Sequence, residues 1–549
     1  MAPSIALLAV SASGTLLTFG LYKLAELLYG NLSSPLRNLP GPPSTSWALG
    51  NSKEIQQADP SVVHEKWVEQ YGQTFKYAGL GNVPHLFTLD TKALSHILSH
   101  TDTFQKSKAM RYNLSRIVGP GVLVVEGDAH KLQRNIMNPA FGPAQVRALT
   151  DIFVAKAHQL RDVWAAELED GGKILGEDDH GQTIKQARID VLPELNRATL
   201  DIIGLAGFNY KFDALSKRKT ELNDALVALF QAAGKGRLMM LLQGWIPSLR
   251  GIPTASKRSM DKSQGIMQRI GMQLIVDAKA DLVAAEKDGA GAGKNRDLFS
   301  LLLRANVSTD GKRLSDEDVL AQIPTFFVAG HETTSSAVTW SLFQLAQSPD
   351  VQAKLRAELR SVDTETPDMD ELSALPYLDK VVREVMRVHA PIAHGGRTAM
   401  RDDVIPLAQP FVDRNGVERY EIHIRKGDGI FIPILAINRS KALWGEDAHE
   451  FKPDRWDNLP ESVTSIPSIW GHQLTFLAGP RACIGYRFSV IEIKALLFAL
   501  VRTFEFELAV PAEDIKHKVI LVVQRPVVTS DPNGGNQMPL LLRLARDEQ

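Results

Sequence analysis

The sequence predicts one large, mainly helical domain with a minor sheet component, held behind an N-terminal transmembrane anchor. Three observations predict it. The chain opens on an apolar stretch without charge, most of the remaining chain repeats its apolar residues at helical spacing, and only short segments alternate. With 549 residues, 44% of them hydrophobic, the chain can bury a large core.

Met1 to Tyr22 carries no charged side chain, and about 20 apolar residues span the hydrocarbon core as a helix. Lys23 and Arg37 follow the run and no basic residue precedes it, although Glu26 dilutes the asymmetry. By the positive-inside rule the bulk of the protein then faces the cytosol. A cleaved signal peptide is the rival reading. We assign 1–29 to the anchor, 30–46 to a proline-rich hinge around Leu39-Pro40-Gly41-Pro42-Pro43, and 47–549 to one large globular domain. Three prolines around a glycine cannot continue a helix and favour a stiff, extended connector.

Alternating runs near Phe75–Leu89 and Tyr420–Ile432 predict strands, and helical spacing marks Ala144–Leu168, Lys217–Leu242, Lys257–Ala285 and Phe488–Thr503. The longest helix runs from Leu314 to Ser348, with Ser315 as its cap, Asp316, Glu317 and Asp318 in its first turn and Pro349 beyond its end. At 1.5 Å per residue it is about 50 Å long, enough to cross a whole domain. Pro324 lies inside it and removes one backbone hydrogen bond. Gly289 to Gly293 reads as a surface loop. Four Asn-x-Ser sequons, at Asn31, Asn113, Asn306 and Asn438, carry no weight in a cytosolic domain.

Lys plus Arg total 62 and Asp plus Glu 63, which argues against nucleic acid as a partner. One cysteine excludes an internal disulfide framework and thiolate zinc sites. That residue, Cys483, sits in Phe476-Leu477-Ala478-Gly479-Pro480-Arg481-Ala482-Cys483-Ile484-Gly485, just before an apolar helical run. Free N–H groups at a helix start favour a thiolate, and the flanking glycines let a flat cofactor approach the backbone. The bland alternative is a buried cysteine acting as a small hydrophobe. Within the long helix, Ala329-Gly330-His331-Glu332-Thr333-Thr334 places an acid and two hydroxyls in apolar surroundings, which is costly without a function. Hydroxyls that merely bond back to the helix are the structural alternative. Glu384 and Arg387 share a helix face by their spacing.

These residues resemble the cytochromes P450, the haem–thiolate monooxygenases, and most closely the microsomal type of fungal secondary metabolism and xenobiotic oxidation. The family signature Phe-x-x-Gly-x-Arg-x-Cys-x-Gly is complete in Phe476, Gly479, Arg481, Cys483 and Gly485. The resemblance implies the cytochrome P450 fold, and haem b with Cys483 as the axial iron ligand. It makes Ala329 and Gly330 the small residues that let the helix approach the haem. Thr333 would stabilise the reduced-oxygen intermediate, and Glu332 would lie on the proton route. Glu384 and Arg387, joined by Arg455 of Phe451-Lys452-Pro453-Asp454-Arg455-Trp456, would form a buried structural lock. Arg481, Arg397, Arg134 and His130 would hold the propionates, with His130 standing where the family usually has tryptophan.

The implied reaction inserts one atom of O2 into a C–H or C=C bond of a lipophilic substrate, with a terpenoid first and a sterol, fatty acid or aromatic xenobiotic next. No Gly-x-Gly-x-x-Gly fingerprint occurs, so electrons from NADPH must arrive through a separate reductase, the NADPH–cytochrome P450 reductase, with cytochrome b5 as a second donor. The endoplasmic reticulum membrane is the expected site. Lys131, Arg134, Arg487 and Lys494 are the expected docking cations. Substrate contacts are expected from Phe104–Val124, 225–250, the long helix, Pro391–Gly395 and the turn near Arg525–Ser530. The run Leu238-Met239-Met240-Leu241-Leu242 with Trp245-Ile246-Pro247 is either membrane-facing or core. Isomerases and dehydratases of the same fold usually lack the acid–threonine pair, and a non-catalytic haem carrier or steroid-binding protein leaves that pair unexplained.

Overall fold

The computed structural model describes residues 28–546, apart from 178–182, 219, 236–238, 240–241, 245, 288–295, 309–312 and 521, and before them residues 14, 18, 20–22 and 25. Most of the expected anchor therefore lies outside the described residues. So does part of the run 238–247. Among the described residues no helix is long and apolar enough to cross a membrane.

Six helices position the site: α1 (Gly127–Met137), α2 (Pro143–Gly171), α3 (Val191–Phe208), α4 (Asp316–Gln347), α5 (Pro376–Val388) and α6 (Tyr486–Thr503). The long helix α4 starts where its sequence says. Ser315 Oγ accepts from Asp318 N at 3.1 Å, and Asp318 Oδ2 accepts from Ser315 N at 3.3 Å, a reciprocal cap for two free donors. Its flanks are fully buried at Phe327, Trp340 and Leu342. At Pro324 the helix meets the loop after Lys108–Val118. Thr325 Oγ1 donates to Val118 O (2.8 Å), and Val122 N donates to Gln322 Oε1 (2.9 Å). A Cβ on Gly121 would lie 2.7 Å from Ala321 O, so only glycine lets this loop close on the helix.

Helix α2 packs on α6 through Phe153 and Phe488, whose ring centroids are 4.6 Å apart. The helix expected from Lys217 starts later, at Glu221. Lys217 has φ 55°, a left-handed conformation that helical spacing alone does not reveal.

The sheet side gathers strands from both ends of the chain. β1 (Thr74–Ala78) and β2 (Pro84–Thr88) form a hairpin. β2 continues in parallel to β9 (Gly429–Ile432), which pairs with β6 (Gly395–Ala399) and then β3 (Phe104–Gln105). A second sheet runs β10 (Phe504–Leu508), β13 (Pro539–Leu544), β5 (Thr183–Asp190), β4 (Lys173–Glu177). Two hairpins complete the set, β7 (Asp403–Val412) with β8 (Glu418–Ile424) and β11 (Ile515–Ile520) with β12 (Val523–Val528). The alternating patch Tyr420–Ile432 thus divides between two sheets, broken at Gly427 with φ 98°. The expected hinge packs on the sheet side, where Leu36 and Leu39 are buried.

Candidate active site

The loop before α6 is closed by Cys483 N donating to Phe476 O at 2.9 Å and Ala482 N donating to Gly479 O at 3.0 Å. Gly479 has φ 68°, and a Cβ there would meet Leu98 O at 2.5 Å, so the loop needs glycine twice over. Phe476 is buried against Trp470 and Tyr486. Cys483 itself is exposed by area, yet the protein around it is dense enough to push its thiol pKa up. The two agree when the sulfur is accessible and is flanked by protein on its other sides. The helix start alone does not make the thiolate: burial dominates, and the Gly485 N–H and Arg134 oppose it only in part.

The central helix opens toward a space. Between buried flanks, Ala329 is exposed and Thr333 partly so, and Thr333 Oγ1 donates to Ala329 O at 2.7 Å. Gly330 does something other than expected. A Cβ there would lie 2.7 Å from the Ile203 side chain, so its smallness serves the close packing of α3 on α4, and Ala329 is the small residue on the open side. Helices α4 and α6 touch at Thr334 and Ser489, whose hydroxyl oxygens are 3.2 Å apart.

Cations collect on one side of this space. Arg134 Nη1 donates to Ala482 O at 2.6 Å, and Arg481 Nη1 donates to Val125 O at 2.8 Å. Arg397 is buried and donates to Gly396 O (2.8 Å); burial holds its pKa down to about 10, as it does for Arg481. His130 is buried, with a pKa lowered to about 4 by desolvation first and then by Lys106 and Arg134. Lys106 and Glu126 carry no motif and were missed in the sequence. Lys106 is buried, its pKa lowered to about 6 by desolvation and then by Arg397, Arg481 and Arg111. Glu126 contacts Arg481 and lies 3.6 Å from Lys106. Arg111 Nε is buried without a partner. Among the described residues Glu126 is the carboxylate in ion-pair contact with this group, against the guanidinium groups of Arg481, Arg397, Arg134 and Arg111. That leaves room for further negative charge, and a dianionic flat cofactor would supply it.

Glu332 is buried and contacts Arg525 of β12, a partner 193 positions away that no local pattern announces. Arg525 lies in a strand, not in the turn expected there. The structure brings Glu384, Arg387 and Arg455 together. Arg387 forks onto Glu384 at 2.7 and 2.9 Å, and Arg455 Nε reaches Glu384 Oε1 at 3.1 Å. Trp456 Nε1 donates to the same carboxylate at 3.0 Å as its third side-chain partner, and Lys452 N donates to it as well, also at 3.0 Å. Of the expected docking cations, Lys131 and Arg487 are exposed, whereas Lys494 is not available. It is 3% exposed and paired with Asp379 at 2.8 Å, because that face of α6 turns into the core. Of the expected substrate-side segments, Lys108–Val118 meets 243–244, with Arg116 Nη1 donating to Gln243 Oε1 at 3.1 Å, and Met110 Sδ lies against Gly396.

Known proteins place this arrangement. The family model described as Cytochrome P450 matches residues 40–529. The chain is 52% identical to Cytochrome P450 monooxygenase 205 of Postia placenta, over 97% of this chain and 99% of that protein. It is 48% identical to Cytochrome P450 monooxygenase 128 of the same fungus, over 97% of each. It is 34% identical to Cytochrome P450 monooxygenase claP of Ampulloclitocybe clavipes, over 93% of each.

Proposed function

The chain belongs to the cytochrome P450 family of monooxygenases, and from that premise we propose that it inserts one oxygen atom of O2 into a lipophilic substrate. A terpenoid is the first choice, by hydroxylation or epoxidation, with NADPH electrons arriving through a separate reductase. The observation that carries the reading is Cys483, accessible in dense surroundings at the end of the loop closed by its own N–H on Phe476 O. The haem iron of the family, when bound there, supplies the oxygen-activating redox chemistry, favoured by electron donation from the thiolate. Arg481, Arg397, Arg134, His130 and Lys106 would hold its propionates. Phe476, Gly479 and Gly485 shape the cysteine loop, Glu332 lies on the proton route, the Thr333 hydroxyl would stabilise reduced oxygen, and Glu384, Arg387 and Arg455 brace the core behind the loop.

Residues 1–29 anchor the enzyme in the endoplasmic reticulum membrane with the catalytic domain toward the cytosol. Lys131 and Arg487 meet the acidic face of the reductase, and cytochrome b5 can use the same face. The test is optical. Reduced, carbon-monoxide-bound protein should show the red-shifted Soret band of thiolate ligation, and a histidine-type band would overturn the assignment. Spin-state shifts across a library of terpenoids, sterols and fatty acids then identify the substrate class. Reversing Lys131 and Arg487 to Glu should slow reductase-driven turnover and flatten its salt dependence.

A further inference from the structure

Glu126 is a buried carboxylate among the cations of the candidate active site, and the proposed monooxygenase function gives it no work. It stands immediately before α1, where a side chain usually accepts from the first helical N–H groups. Glu126 makes no such cap bond, and its backbone is extended, with φ −127° and ψ 169°. The carboxylate reaches to two other segments instead. Oε1 accepts from Lys106 N at 3.1 Å and lies 3.6 Å from Lys106 Nζ, just ahead of the helix Lys108–Val118. Oε2 contacts Arg481 Nη2 on the loop that carries Cys483. Val125 O accepts from Arg481 Nη1 at 2.8 Å, so two adjacent residues hold one guanidinium. Side-chain exposure is 5% for Glu126, 5% for Arg481 and 9% for Lys106. Solvent ions screen such buried charges little.

Shape and charge can be separated here. A neutral amide in place of Glu126 could still accept from Lys106 N through one oxygen and keep the same volume. What an amide cannot supply is the negative charge, whose burial is costly unless cations offset it. That charge also acts beyond its contacts, because poorly screened Coulomb energies fall off slowly with distance. It sits on the frame of the thiolate loop. Arg481 is two residues from Cys483, and Arg134 of α1 donates to the Ala482 carbonyl.

We propose that Glu126 sets the reduction potential of the haem iron expected at Cys483, by fixing Arg481 and by a buried negative charge that favours ferric over ferrous iron. The proposal rests on the haem–thiolate reading of the site. Glu126 acts through Arg481 and through its field, and is a positioning residue.

The step concerned is a one-electron reduction. Ferric iron accepts one electron, which comes from NADPH through the reductase, and no bond or proton moves. The reduced site carries one positive charge less. A nearby carboxylate therefore disfavours it, while the guanidinium groups of Arg481, Arg397 and Arg111 favour it. Glu126 offsets part of their pull, and the lower potential slows entry of the electron.

The test is a spectroelectrochemical titration of the purified holoenzyme. Glu126→Gln keeps the shape and removes the charge, whereas Glu126→Asp keeps the charge on a shorter stem. Glu126→Gln should favour the ferrous state about tenfold, ~59 mV for a one-electron couple, and Glu126→Asp should stay near wild type. A role in packing alone predicts the reverse order, because aspartate fills the site less well than glutamine. That reverse order, or a Glu126→Gln potential equal to wild type, overturns the proposal. Arg111→Gln removes a cation from the same group and should shift the potential in the opposite direction. It keeps the test decisive where Glu126→Gln fails to load haem, and an unmoved potential in Arg111→Gln also overturns the proposal. Reductase-driven growth of the carbon monoxide band should be faster in Glu126→Gln and slower in Arg111→Gln. The band itself separates the two ideas. Absence of a thiolate-type band in the wild type fails the haem–thiolate reading and the proposal with it. A thiolate-type band with unmoved potentials fails the role of Glu126 alone.

Discussion

Glu492 lies on α6, fully buried, with neither carboxylate oxygen hydrogen-bonded. The Thr334 hydroxyl beside it lies 3.2 Å from the Ser489 hydroxyl and offsets the effect of burial on the carboxyl only in part. Burial raises its pKa well above the ordinary value of 4.5, so the folded protein keeps it neutral. The unfolded chain releases that proton above about pH 4.5 while the folded one holds it, so stability is lost as pH rises through this range. Glu492→Gln should therefore melt at a higher temperature than wild type at pH 8, with the gap closing near pH 4.5; calorimetry across that range checks it. The opposite case is the lock of Glu384, Arg387 and Arg455, whose members satisfy one another. Glu384→Ala leaves the buried Arg387 guanidinium without its carboxylate, while Arg455 keeps Asp447 at 2.6 Å, and should cost about 3–5 kcal/mol in a denaturant titration. Glu384→Gln, which keeps the shape, should lose less. At this scale the legible residues were those with short spacings, such as Phe476 to Gly485 and Glu384 with Arg387. Lys106, Glu126 and Arg525 were not legible, because only the tertiary fold brings them to Arg481 or Glu332.

Between elements, the hairpin β11–β12 is docked on the core by rings. His389, just past the end of α5, and His517 of β11 are joined Nδ1 to Nε2 at 2.9 Å and lie nearly parallel to the Trp340 indole of α4, at centroid distances of 4.7 and 3.9 Å. Gln344 closes the chain on His389 Nε2 at 2.6 Å. A ring that accepts from Gln344 and donates to His517 is neutral, and so is its acceptor. Burial lowers His389 well below 6.5, with His517, Arg439 and Arg387 adding to it, and lowers His517 to about 3, with Arg439 and Lys516 adding to it. The unfolded chain binds these protons first, so stability contributed by the neutral pair is present above pH 6.5 and lost as pH falls below it. Melting temperature should drop from pH 6.5 toward pH 4 more steeply in wild type than in His517→Gln, which keeps an acceptor without titrating; equal slopes would sink the idea. Because β12 carries Arg525, the same acid range should loosen its contact with Glu332. Elements with local end signals, such as α4 and its cap, were readable in sequence. The division of Tyr420–Ile432 between two sheets was not, because alternation reports a pleat and not a partner.

For the whole molecule the question is where the folded domain begins. Composition drew the line after a stiff hinge at 30–46, but the segment is stitched to the sheet side. Lys76 N donates to Pro40 O at 2.9 Å, Arg414 N to Asn38 O at 2.9 Å, and Asn31 Nδ2 to Gly81 O at 3.0 Å. A Cβ on Gly41 would lie 1.9 Å from Lys76 O, so the backbones meet there without a side chain between them. Leu36 and Leu39, at 0% and 3% exposure, belong to the core formed by Phe75, Leu86 and Ile430. Prolines that look like a linker in one dimension are here a strap, and only the buried leucines between them hinted at it. Removal of 1–29 and removal of 1–46 should then differ in kind. The shorter deletion takes away the proposed anchor and leaves the strap. The protein should leave the membrane pellet after an alkaline wash and still load haem with a thiolate-type band. The longer deletion also exposes the pocket of two leucines, at about 1.5–3 kcal/mol each, and strips the backbone bonds at Lys76 and Arg414. Its melting temperature should fall by several degrees relative to the shorter form. Equal stability of the two would mean that the strap is a linker after all, and retention of the 30–549 form in the washed pellet would remove the anchor assignment.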